Sequence, residues 1–156
     1  FNRDVIPHTN EVYTADTIAN CIDNYDVFIT GSDQVWHPVA YCPAYGLNFV
    51  PSEKIKISYA ASIACDDISE DYRSVLKKNL ADFSGISVRE ERAAMLLKDL
   101  VTQPVYVSMD PTLLLSREDW DGICGNACIT QPYLFCYFLG DSKLQRSLAK
   151  ESASTP

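Results

Sequence analysis

Short apolar runs alternate with amphipathic helical stretches along this chain, and that alternation restricts its fold more than any other property. Val27-Phe28-Ile29-Thr30, Ile55 to Ala61, Gly85-Ile86-Ser87-Val88, Val105 to Met109 and Tyr133 to Leu139 read as strands. A strand covered on both faces shows as a near-continuous apolar run, while the helix covering it shows apolar residues at three- and four-residue steps. Strands and helices in alternation predict an α/β fold built on a mainly parallel sheet with flanking helices.

The helical stretches differ in clarity. Residues 67–83 form the clearest, with Tyr72, Val75, Leu76, Leu80 and Phe83 on one face and Asp67 and Glu70 at capping-box spacing. Residues 14–24 predict a helix capped by Thr14 or Asp16, with Ile18, Ile22 and Tyr25 on one side. Ser87 and Glu90 form a second capping-box pair ahead of a helix through Ala93, Leu96, Leu97 and Leu100, and Ser116 is placed to cap a short helix containing Trp120. Two glycines, a proline and no period mark 121–132 as a break. The expected organisation is a first domain over 1–125, a linker over 126–132 and the beginning of a second domain over 133–156. In that last piece a strand leads through Gly140-Asp141 into a helix ending near Glu151, followed by a tail over 152–156.

Composition excludes several classes. Hydrophobic residues make up 47% of 156 and charged residues 22%, which suits a folded domain and not a disordered chain. The net charge of −8, from 13 basic and 21 acidic residues, argues against a nucleic-acid partner. No apolar run approaches the roughly 18 residues of a membrane span, and no secretory signal is visible. Residue 1 is Phe, which suggests native sequence upstream. Most of Cys21, Cys42, Cys65, Cys124, Cys128 and Cys136 sit among apolar residues, as reduced thiols do. Cys124 and Cys128 have no second pair at ligand spacing, and His8 and His37 lie far from them, so neither a metal nor another cofactor is expected.

In open α/β sheets ligands bind beyond the carboxyl ends of the strands. Four consecutive strands here end in small or polar residues: Gly31-Ser32-Asp33-Gln34, Ala61-Ser62, Arg89-Glu90 and Asp110-Pro111. If the strands are parallel, these groups share one rim, where helix N-termini favour anions and Arg89 adds a bidentate donor. The candidate binding residues are therefore Gly31, Ser32, Asp33, Gln34, Trp36, Ser62, Arg89 and Asp110, with no catalytic residue assigned. Each has a plainer reading. Gly31-Ser32-Asp33 and Asp110-Pro111 also read as turns, Arg89 as a surface ion pair with its acidic neighbours, Trp36 as packing, Ser62 as a cap, and His37 as an ordinary loop histidine. Walker-type phosphate loops, Gly-x-Gly-x-x-Gly and Gly-x-Ser-x-Gly are absent, so the residues alone name no reaction.

Taken in order, five stretches resemble the polysaccharide pyruvyl transferase family. They are Asp26-Val-Phe-Ile-Thr-Gly-Ser-Asp-Gln-Val-Trp36, Lys56-Ile-Ser-Tyr-Ala-Ala-Ser62, Phe83-Ser-Gly-Ile-Ser-Val-Arg-Glu-Glu91, Met109-Asp-Pro-Thr-Leu-Leu-Leu115 and Tyr133-Leu-Phe-Cys-Tyr-Phe-Leu-Gly140. The resemblance implies a bacterial cytoplasmic enzyme with two Rossmann-like halves arranged as in GT-B glycosyltransferases and the active site in the cleft between them. It implies transfer of the enolpyruvyl unit of phosphoenolpyruvate to two hydroxyls of a cell-surface glycan, as a ketal. The family's donor-binding Arg and His of the second half have no counterpart here, so the resemblance also implies that this chain is inactive alone. An unpartnered 133–139 strand would then pack back on the first domain or pair with a second copy. Two other readings stand beside this one: a GT-B-type nucleotide-sugar glycosyltransferase and a truncated, non-enzymatic module.

Overall fold

A computed structural model of the chain describes residues 9–125 and 129–154. Two compact units, Phe1–Ser116 and Arg117–Pro156, divide it. Of the expected linker, residues 126–128 lie outside the described residues, as do His8, Cys128 and the last two residues of the expected tail.

The first unit is an α/β layer. Strand β1 (Val27–Thr30) pairs in parallel with β2 (Ile55–Ser58), from Val27 opposite Ile55 to Thr30 opposite Ser58. Strand β3 (Ile86–Val88) pairs in parallel with β4 (Val105–Val107), Ile86 standing opposite Val105. Parallel bridges Ile57–Gly85 and Ala61–Val88 join the two pairs in the order β1-β2-β3-β4. Two buried serines explain why the ladder is interrupted between β2 and β3. Ser58 Oγ accepts from the Ser87 amide at 3.0 Å and donates to the Ser87 carbonyl at 3.1 Å, while Ser87 Oγ accepts from the Ala60 amide at 2.9 Å. Side chains thus satisfy backbone groups that a continuous ladder would pair. Ser87 is consequently not half of a capping box. The following helix α2 (Glu91–Leu97) begins after Glu90 with no side-chain cap and stops at Leu97, short of the expected Leu100.

Helix α1 (Glu70–Leu80) lies where the periodicity placed it and buries Tyr72, Leu76 and Leu80 at four-residue steps. Its cap is Ser69, whose Oγ accepts from the Tyr72 amide, whereas Asp67 bonds the Ile68 amide and Arg73. Val75 falls on the flank and stays 39% exposed. The 14–24 helix is instead a 3-10 turn over Ile18–Asn24. Its three-residue period aligns Ile18 with the buried Cys21 and leaves Ile22 and Tyr25 off that line. Trp36, Ile63, Leu76, Leu80, Phe83, Ile86, Val88 and Leu97 form the closed centre of this core.

The second unit holds helices α3 (Arg117–Ile123) and α4 (Lys143–Ser154) and no strand among its described residues. The strand expected over 133–139 is not formed: Tyr133, Phe135, Tyr137 and Leu139 lie in irregular backbone, 66 to 84% exposed. A strand needs a neighbour for its backbone groups, and this unit supplies none. Arg146 instead lies 5.1 Å from the Phe138 ring centre and pairs with Asp141. Helix α4 continues through Ser154, past the expected end near Glu151. Among the described residues, no helix is long and apolar enough to cross a membrane, and Cys21, Cys42, Cys65, Cys124 and Cys136 are free thiols.

Candidate functional site

Because all four strands of the first unit run parallel, the segments that follow them lie at one edge of the sheet. The loop after β1 starts at Gly31, whose φ of +117° is disfavoured for any other residue. A Cβ there would also collide with the Tyr59 carbonyl, so Gly31 permits a close backbone approach between the ends of β1 and β2. Two backbone bonds fasten the same loops farther out. The Ser62 amide donates to the Asp33 carbonyl at 2.8 Å, and the Trp36 amide donates to the Ser62 carbonyl at 3.1 Å. Asp33, Ala60 and Ala64, with φ of 56°, 48° and 52°, are left-handed in these segments. Such conformations disfavour side-chain-bearing residues by roughly 1 kcal/mol or more each and gather where a surrounding structure enforces a site's shape.

Arg89, directly after β3, is the cation of this rim. Its Nη1 donates to Asp110 Oδ2 at 3.0 Å, its Nε to Glu90 Oε1 at 3.4 Å, and its Nη2 lies 3.9 Å from Asp33 Oδ1. Two of five guanidinium N–H groups are thereby spent, and the others make no hydrogen bond among the described residues. Partial burial works against the Arg89 charge, but the bonds to Asp110 and Glu90 outweigh it and raise the guanidinium above its ordinary value. Asp110 in turn caps the short helix Pro111–Leu113: its Oδ1 accepts from the Thr112 amide at 3.0 Å and from the Thr112 hydroxyl at 2.7 Å. Those two bonds, and after them Arg89 and Ser32, hold the Asp110 carboxyl well below the usual carboxylate range.

Glu90 belongs to the same cluster; the sequence places it at the rim but not among the candidate binding residues. Its Oε1 accepts from Ser62 Oγ as well as from Arg89, while its Oε2 is buried with no hydrogen-bond partner among the described residues. Beside it lies a shallow cavity of about 200 Å³ lined by Ala64, Cys65, Asp66, Glu90, Arg92 and Ala93. The signal was present in the sequence, since Glu90 immediately follows Arg89 at a strand end, but its spacing from Ser87 assigned it to a cap.

The structure therefore gathers Ser32, Asp33, Ser62, Arg89 and Asp110, with Gly31 shaping the backbone. Gln34 stands exposed at the edge, its carbonyl accepting from the His37 amide and its own amide bonded to Asp33 Oδ1. Trp36 does not face the rim. It has no exposed surface, packs edge-on against Phe83 at 6.3 Å and donates from Nε1 to the Tyr45 carbonyl at 3.2 Å. His37 is engaged locally, Nδ1 accepting from the Val39 amide. Among the described residues no group of three His, Cys, Asp or Glu is placed to hold a metal ion. One fork-shaped cation framed by three carboxylates can hold a carboxylate or phosphate on its unspent N–H edge, with hydroxyl-bearing molecules bonded to the carboxylates around it.

A sequence model of the family described as polysaccharide pyruvyl transferase matches residues 2–156. No curated protein and no solved structure matches the chain.

Proposed function

This chain belongs to the polysaccharide pyruvyl transferase family, and from that premise we propose that it supplies the first half of an enzyme that moves the enolpyruvyl unit of phosphoenolpyruvate onto two hydroxyls of a glycan sugar, and is inactive in that transfer alone. In this reaction the methylene carbon takes up a proton and phosphate leaves the central carbon. The two sugar oxygens bond to that carbon and lose their protons, so a methyl-bearing cyclic ketal and inorganic phosphate result. Positive charge develops at the central carbon, and anionic groups must be held throughout. On this reading Arg89 holds the donor's carboxylate or phosphate, and Glu90 and Asp33 accept hydrogen bonds from sugar hydroxyls. The rim belongs to the first of two Rossmann-like halves in a GT-B-like cytoplasmic enzyme, the first domain running over 1–125 and the second opening at 133. The observation that carries the proposal is the Arg89 fork, oriented at the carboxyl edge by Asp110 and Glu90 with N–H groups unspent.

Calorimetry with phosphoenolpyruvate, inorganic phosphate and a uridine nucleotide-sugar tests it. Phosphoenolpyruvate is expected to bind best. Loss of a charge-assisted contact of about 1.5–3 kcal/mol in Arg89→Ala should weaken binding roughly 10- to 100-fold. Preference for the nucleotide-sugar would replace this reading with that of a glycosyltransferase, and binding of none of the three would remove it.

A further inference from the structure

We infer that Asp110 is a positioning residue: it orients the Arg89 guanidinium so that the unspent N–H edge faces the donor anion. The inference rests on the pyruvyl-transfer reading for the identity of that anion. An arginine side chain loses about 2 kcal/mol of rotamer entropy when fixed. An arginine ordered before its ligand arrives has already lost that freedom, and the ligand then binds more tightly.

Asp110 is well placed to do this because it is itself held. Pro111 follows it, and its Oδ1 is occupied by the Thr112 amide and hydroxyl, which leaves Oδ2 for Arg89 Nη1 at 3.0 Å. Its side chain is 19% exposed and that of Arg89 30%, so water competes with the pair less than at a free surface. Glu90 fixes the guanidinium at Nε, on a different side from Asp110, and two bonded positions define the plane of the fork. Asp110 arrives from beyond β4 and Arg89 from β3, so the contact also joins two rim segments that the chain separates by a helix and a strand. Asp110 touches the donor in no part of this scheme and acts through Arg89.

A double-mutant cycle separates that role from a purely structural one. Asp110→Asn keeps an oxygen to cap Thr112 while removing the charge beside Arg89. Phosphoenolpyruvate affinity, by calorimetry, is expected to fall about tenfold in Asp110→Asn and further in Arg89→Ala, with the double variant no weaker than Arg89→Ala alone. Losses that multiply, or unchanged affinity in Asp110→Asn, would overturn the inference. A second readout needs no ligand: the Arg89 Nε–H resonance, followed by NMR, should exchange with water faster in Asp110→Asn than in the wild type. Absence of phosphoenolpyruvate binding by the wild type sinks the pyruvyl-transfer reading. In that case the exchange comparison alone decides whether Asp110 orders Arg89, and equal exchange sinks that too. Should Asp110→Asn fail to fold, Arg89→Lys takes its place. Lysine keeps the charge without a planar fork that Asp110 and Glu90 can orient, so it should bind the donor more weakly than the wild type, and wild-type affinity would overturn the inference.

Discussion

The Trp36 amide donates to the Ser62 carbonyl at 3.1 Å, so the loop after β1 closes against the segment after β2 through a residue whose side chain is wholly buried. Trp36 therefore anchors the rim from beneath. Trp36→Ala removes a large side chain from contact with Phe83 and leaves the Tyr45 carbonyl with the Thr30 hydroxyl alone, and the expected loss is about 3–5 kcal/mol. Trp36→Phe keeps most of the volume and loses only the Nε1 bond, so about 1–2 kcal/mol is expected. Urea unfolding of both variants checks this ordering, and equal losses would contradict it.

Gly31 gives a second test of the rim's backbone. Gly31→Ala must place a methyl group against the Tyr59 carbonyl at a φ of +117°. A loss of roughly 2 kcal/mol or more is expected, with faster amide exchange in the loop that follows. Gly122→Ala is the control: nothing stands within 4 Å of its added Cβ. In the last turn of helix α3 it should be neutral or stabilise by up to about 1 kcal/mol. Equal behaviour of the two variants in thermal melts would refute the argument.

How far the sequence could be read follows from what each feature depends on. Strands β1 and β3 were legible because each is a short apolar run with a definite end, and helix α1 because its apolar steps persist over three turns. Its cap was not legible: Asp67 and Ser69 stand two positions apart, and only the start of the helix decides between them. Trp36 could be placed in the core only by its partners, above all Phe83, which is distant in sequence. The 133–139 run has the composition of a strand, but pairing is a property of a neighbour and not of the run itself. The rim was legible as a set of strand ends. Its internal pairing was not, because Arg89 looked equally able to meet an anion or a carboxylate and in fact meets two carboxylates with N–H groups left over.

Away from the rim, Lys56 makes a separate prediction. Its side chain is 5% exposed and bonds Asp82 and, at 3.2 Å, the Val50 carbonyl, whereas the Asp82 side chain is 39% exposed. Removing the two partners is therefore not equivalent. Asp82→Ala leaves a buried ammonium without its counter-charge and should cost about 2–3 kcal/mol, below the 3–5 kcal/mol of fully buried pairs because water reaches part of the site. Lys56→Met leaves only a half-exposed carboxylate and should cost less, about 1 kcal/mol or below. Denaturation midpoints in the reverse order would show that the pair contributes through something other than the buried charge.

The Thr112 amide and hydroxyl, then Arg89 and Ser32, hold the Asp110 carboxyl below its unfolded value near 3.9. A carboxyl whose folded-state value is depressed binds fewer protons in the native protein than in the unfolded one. Its contribution to stability is therefore complete above the unfolded value and is lost as pH falls towards the folded one. The stability difference between wild type and Asp110→Asn should accordingly be constant from about pH 5 to 7 and shrink below about pH 4. Asp67, held low by the Ile68 amide and Arg73, titrates in both proteins and drops out of the difference. Melting temperatures of the two proteins at half-unit steps from acid to neutral pH provide the measurement. A gap that stays constant through the acid range would mean that the Asp110 charge contributes nothing to holding the rim.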